Sequence, residues 1–203
     1  MRTYLSMTLL MILIAAMLTG CAGNLDADTD TIYIAENGSV QSIDTGLFNQ
    51  TYYDFDELKL YVEESVQEIS GGDTSIVKVV EFKETEDRVK LSLKYQSPQY
   101  YEEFNGMTLF SGSVTEALNE EYDFDTVFYS VTDGEKGEEL DRNEVINNGT
   151  EKIVIIEADV NVKVDGKITV ISGEHTKVLD RNLAEISTDD EGESSELTYI
   201  IYQ

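Results

Sequence analysis

The chain of 203 residues has one cysteine, Cys21, one histidine, His175, one proline, Pro98, and no tryptophan. A lone cysteine cannot close an intramolecular disulfide, and with a lone histidine it cannot supply the ligands of a structural zinc site. An intermolecular disulfide or a free thiol stays open. The proline count excludes a Pro-rich linker, and the absence of tryptophan excludes a Trp-based sugar platform. Bases are scarce too: 14 Lys and Arg face 41 Asp and Glu, for a formal charge of −27. Such a surface repels nucleic acid and anionic lipid headgroups, and suits a solvated extracellular face or a cationic partner. No Walker loop, dinucleotide fingerprint, G-x-S-x-G elbow, metal tetrad or basic groove occurs. Cofactor enzymes and nucleic-acid readers therefore lack their usual signals, and no cofactor is expected.

What is present begins at the N-terminus. Met1 and Arg2 give a positive start, an apolar run covers 7–18, and the compact residues Thr19 and Gly20 precede Cys21, which is the layout of a secretory signal. The run is too short to cross a bilayer core of ~30 Å comfortably as a permanent anchor. Leu18-Thr19-Gly20-Cys21 resembles a bacterial lipobox. That resemblance implies a lipoprotein signal peptide at 1–20, cleavage before Cys21, and a diacylglyceryl group on the Cys21 thiol. Two acyl chains hold a protein stably, at ~0.8 kcal/mol per buried methylene, where one chain does so only marginally. An ordinary signal peptide with an incidental cysteine is the blander reading. The expected place is the outer side of the cell membrane, with a Gram-positive bacterium as the expected host.

Hydrophobic residues make up 41% of the chain, enough to build a core despite the charge. Residues 21–30, "CAGNLDADTD", read as a lipidated tether, and 31–203 as an extracytoplasmic domain with a possible subdivision near 135–150. Asn37-Gly38 between β-formers signals a hairpin. Asp54, with Glu57 three residues on, caps a helix that ends at Gly71-Gly72 and turns Leu58, Tyr61, Val62, Ser65, Val66 and Ile69 inward. Strands are expected at 76–84 and 88–94, the second alternating strictly with Val89, Leu91 and Leu93 on one face and Arg88, Lys90, Ser92 and Lys94 on the other. A loop or short helix follows at 97–106, a short strand at 107–112, a helix at 115–121 and a strand at 126–132. Residues 135–148 read as a polar, partly helical excursion.

The last third is strand-rich, at 152–164, 167–172, 176–186 and 197–202, with an exposed acidic loop at 188–196. A three-residue turn at 164–166, with Gly166 left-handed, would set Val162 opposite Ile168 and Val160 opposite Val170. The fold class expected is α+β: a mainly antiparallel sheet with one long and one or two short helices packed on it.

Candidate sites compete with plain structural readings. His175 would have to serve any Ser-His or Cys-His chemistry; beside Glu174 at a strand start, it reads as a surface or structural residue. Carboxylate pairs could hydrolyse glycosides, but with 41 acids close pairs arise from crowding alone. Asp54 and Asp56 belong to helix capping, and Asp123 and Asp125 flank Phe124. Asp26, Asp28 and Asp30 imitate the start of a calcium loop, yet Thr31 stands where the turn glycine belongs and Asn37 where the bidentate Glu belongs. Asp189, Asp190, Glu191 and Glu193 form a further acidic cluster. Tyrosines number 12; the doublets Tyr52-Tyr53 and Tyr100-Tyr101 suit a contact surface for protein or carbohydrate, or each doublet splits its rings between core and rim.

The stretches "YYDFDELKLYVEE" and "SPQYYEEFNGMTLFSG" resemble small acidic lipoproteins of unassigned function from Gram-positive bacteria. The resemblance implies no activity and transfers no binding residues. The leading expectation is a lipid-anchored, non-enzymatic binding or interaction module. It would be held to the membrane through Cys21, engage an envelope protein or glycan through Tyr52, Tyr53, Tyr100 and Tyr101, and bind no nucleic acid. A carboxylate-based envelope hydrolase and a calcium-stabilised adhesin are the alternatives.

Overall fold

The computed structural model describes residues 25–187 and 196–203. The signal peptide, Cys21 and most of the acidic loop at 188–196 lie outside the described residues. In chain order the elements are β1 (Thr31–Ile34), β2 (Val40–Leu47), α1 (Phe55–Ser70), β3 (Val77–Glu84), β4 (Arg88–Tyr95), α2 (Pro98–Asn105), β5 (Leu109–Ser113), α3 (Val114–Asn119) and β6 (Phe128–Thr132). They continue with β7 (Glu135–Leu140), α4 (Arg142–Asn147), β8 (Lys152–Ile156), β9 (Asn161–Val164), β10 (Ile168–Ser172), β11 (Thr176–Asp180), β12 (Leu183–Ile186) and β13 (Thr198–Tyr202). The fold is a sheet-dominated α+β arrangement.

Two sheets carry it. The first has the order β11-β12-β9-β1-β2-β4-β3, with β1 and β9 parallel and every other pair antiparallel. The second, β5-β8-β13-β10-β6-β7, is antiparallel throughout. The main core lies between them, with Ile32, Ile34, Leu93 and Val162 from one side and Val154, Ile156, Ile171 and Ile200 from the other. A second core covers the far face of the second sheet. There Ile153, Ile155, Tyr199 and Ile201 meet Val114, Ala117, Phe124 and Val145.

Local chemistry explains the elements. Asn37 accepts from the Ser39 N–H and hydroxyl (3.1 and 2.8 Å), and Gly38 takes φ +80°, closing the β1–β2 hairpin. The Asp54 carboxylate caps α1 by accepting from the Asp56 and Glu57 N–H groups, and left-handed Gly71 ends the helix. Pro98 opens α2, while Ser113 with Glu116 and Asp141 with Glu144 form reciprocal capping boxes on α3 and α4. Helix α1 contributes only a narrow stripe, Val62, Val66 and Ile69, to the core. Tyr61, expected inward, is 66% exposed, because the helix packs against the edge strand β3 and a neighbour of that width covers one line of residues.

Four sequence expectations are corrected. The strand expected at 152–164 is two, β8 in the second sheet and β9 in the first, with Glu157 to Asp159 at the break. The strand expected at 176–186 is a hairpin that turns at Arg181-Asn182. Residues 135–148 are polar and partly helical as expected, but they begin with the edge strand β7, and α4 sends Val145 into the second core rather than standing off the surface. The hairpin at 164–166 does not form: β9 pairs with β1 and β12, whereas β10 pairs with β13 and β6. Val162 and Ile168 do share an apolar environment, but they reach it from opposite sheets across the main core. Gly166 is needed for close approach rather than for a left-handed turn, since a Cβ there would run into the Gln203 carbonyl and the Tyr202 ring.

Candidate functional site

The outward positions of the first sheet line up into a row. Lys78 on β3 neighbours Lys94 on β4, which neighbours Gln41 on β2; Tyr33 on β1 follows, then Lys163 on β9. With strands ~4.8 Å apart, these five side chains span about 20 Å across the sheet. They floor a cleft of about 880 Å3, walled at one end by Ala35, Glu36, Asn37, Asp165 and Asn182. Among the described residues, Lys78, Lys94 and Lys163 have no carboxylate within ion-pair distance. Burial, and then the neighbouring Asp165 carboxylate, push the Tyr33 hydroxyl pKa up, so that the phenol stays a neutral donor.

Residues 25–30, expected to stand clear as a tether, lie along this same face. The Leu25 N–H donates to the Gln41 side-chain oxygen (3.3 Å), and Asp26 pairs with Lys90 (3.2 Å). Asp30 accepts from the Thr45 N–H and hydroxyl (2.7 and 2.8 Å), and the Asn161 amide donates to the Thr29 hydroxyl (2.9 Å). Asp26 and Asp30 are thereby committed to different partners rather than converging on a cation.

A second surface lies at the β2–α1 connection. Phe48 stacks on Tyr53 (centroids 5.0 Å), Tyr52 meets Tyr53 edge-on (4.9 Å), and Phe55 bridges Phe48 to Phe82. Tyr52 is 76% and Tyr53 44% exposed, with Leu47 next to Phe48 exposed as well. The rings thus hold one another while presenting apolar edges to water. The other doublet behaves differently. Tyr101 is buried, its ring edge-on to Tyr95 at 5.4 Å, and Tyr100 packs partly against the main core. The structure therefore brings Tyr52 and Tyr53 together on the surface and removes Tyr101 from it.

The catalytic candidates take structural partners. His175 Nε2 lies 2.9 Å from the Thr198 hydroxyl, and its ring fills the space over Gly173. Glu174 accepts a hydrogen bond from the Tyr129 hydroxyl and pairs with Lys136, which also sits over the Tyr129 ring at 3.9 Å. Tyr129 and Lys136 hold the Glu174 carboxyl below its usual range. Asp123 accepts from the Asp125 N–H (3.1 Å), stapling the turn that holds buried Phe124 at φ +54°.

Sequence reasoning missed Asp44. Burial pushes its carboxyl pKa up, against a 2.9 Å hydrogen bond from Ser42 that pulls it down. Its signal is the acidic residue inside "VQSIDTGL", on the same face as core residue Val40. The lysine row was half legible, because alternation in β4 set Lys90 and Lys94 outward; its continuation through Lys78, Tyr33 and Lys163 needed the strand order. Among the described residues no group of three or more His, Cys, Asp and Glu is placed to hold a metal ion, and no helix is long and apolar enough to cross a membrane. No protein-family model, no curated protein and no solved structure matches this chain.

Proposed function

We propose that the protein is a lipid-anchored, non-enzymatic binding module on the outer side of the cell membrane. Cys21 carries the anchor, and an antiparallel scaffold with helical cover presents the contact surface. The observation that carries this reading is the aromatic cluster at the β2–α1 connection. Tyr52 and Tyr53 are ordered by ring contacts with each other and with Phe48, so little side-chain freedom is lost when a partner covers them. Tyrosines exposed in this way suit a protein or a glycan of the cell envelope. The hydrolase alternative draws less support. Asp44, the described carboxyl whose pKa is raised, lies on the inward face of β2, whereas the cleft opens on the outward face.

Cross-linking in the native envelope, followed by capture of the lipidated protein, tests the binding reading. Loss of a specific partner in folded Tyr52→Ala/Tyr53→Ala, with retention in Tyr100→Ala, supports it. A partner kept by the doublet variant places the contact elsewhere, and no partner in any sample counts against the module.

A further inference from the structure

We infer that the outward face of the first sheet, with its lysine row, is the side the protein turns toward the membrane, where it meets anionic phospholipid headgroups. This rests on the lipid anchor at Cys21. Leu25 stands only four positions after that cysteine, and four steps of fully extended chain reach about 14 Å. Leu25 and Asp26 are fixed over mid-sheet by Gln41 and Lys90. The helical layer of α3 and α4 lies two packed layers away, about 20 Å at ~10 Å per layer. An anchor on so short a lead cannot reach past that layer, so the outward sheet face is the near side.

Charge points the same way. Lys78, Lys83, Arg88, Lys90, Lys94, Lys163 and Lys177 project outward from this face, seven of the chain's 14 bases. Their counter-charges are Glu81 and Asp26, which pair with Lys83 and Lys90, Asp28 and Asp30 in the segment along the face, Glu185 on β12, and Glu36 and Asp165 at the cleft wall. The face is thus near balance in a protein of net charge −27. The layer beyond the second sheet is dominated by acids, with Glu116, Glu120, Glu121 and Glu144 around α3 and α4. A negative bilayer repels that layer, while a lysine or arginine near its surface gains about 1 kcal/mol. Lys78, Lys94 and Lys163, which have no carboxylate partner among the described residues, are the groups available to phosphate oxygens.

Site-specific quenching on vesicles tests the orientation. Acylation of Cys21 leaves any introduced cysteine as the sole free thiol, so Lys163→Cys and Glu120→Cys can each be labelled with a fluorophore in the full lipidated protein. The samples are vesicles of phosphatidylcholine with phosphatidylglycerol, carrying a headgroup quencher, with circular dichroism to establish that each variant is folded. Several-fold stronger quenching at 163 than at 120 is expected, reduced in phosphatidylcholine alone and in Lys78→Gln/Lys94→Gln. Protein that floats with the vesicles but is quenched equally at both positions overturns the orientation and leaves the anchor standing. A ratio unchanged without phosphatidylglycerol overturns the headgroup contact. Protein that does not float shows the anchor reading to be wrong, and the orientation falls with it.

Discussion

The two sheets of this protein solve opposite problems. The first packs against the core on one face, while its other face is polar and buried only around Thr31, Gln41, Ile43 and Ser92, and its strands alternate: β4 reads RVKLSLKY, with Leu91, Leu93 and Tyr95 toward the core and Lys90, Ser92 and Lys94 outward. The second is covered on both faces, and after a polar first residue its central strands run on without polar alternation, as KIVII in β8 and TYIIY in β13, every residue of the latter buried. A strand's composition therefore reports how many of its faces are covered, and antiparallel strands buried on both sides lose the alternation that marks a half-exposed sheet. In β13, Ile200 and Tyr202 feed the main core while Tyr199 and Ile201 feed the second.

The largest expected effect comes from uncovering the second sheet. Phe124 is fully buried against Tyr199 (5.0 Å) and Phe128 (6.0 Å). Phe124→Ala should cost about 3–5 kcal/mol in urea unfolding, and a loss below 1 kcal/mol would show that the far face of this sheet is not a packed core. Next comes the crossing between sheets. Gly166→Ala drives a Cβ toward the Gln203 carbonyl and the Tyr202 ring, at an expected cost of about 1–3 kcal/mol.

A smaller and pH-dependent effect is expected at Asp44, the charge on the inward face of β2. Burial raises its folded pKa above the unfolded value of about 4, so its contribution to stability is full below that value and is lost as pH rises through the folded pKa. Asp44→Asn keeps an oxygen for Ser42 and should raise Tm at neutral pH, with the gain shrinking as the pH is lowered into the carboxylate range. No gain at neutral pH would mean that the carboxylate is solvated. Smallest of all, Lys94→Ala on the open face should change stability by less than about 0.5 kcal/mol. A larger loss would remove the distinction between the two sheets.

Much of the first half was legible because its signals are local. Asp54 and Gly71 bound α1, Asn37-Gly38 turns the first hairpin, and the period of two in β4 gives its faces. The last third was less legible for a definite reason. Val162 and Ile168 match as apolar neighbours whether they pair across a hairpin or face each other across a sandwich, and sequence spacing cannot separate the two. The doublets make the same point: Tyr52-Tyr53 and Tyr100-Tyr101 are the same dipeptide, and only the second lies beside Tyr95 at the core.

By itself the sequence determined the charge imbalance, the caps, the turns and the faces of alternating strands. Each depends on side chains within a few residues of one another, or on composition alone. Tertiary structure decided which strands share a sheet, which apolar runs are buried on both sides, and that lysines from β3, β4 and β9 stand in one row beside the chain that follows Cys21. Those contacts join residues far apart in the chain, through partners that no local pattern names.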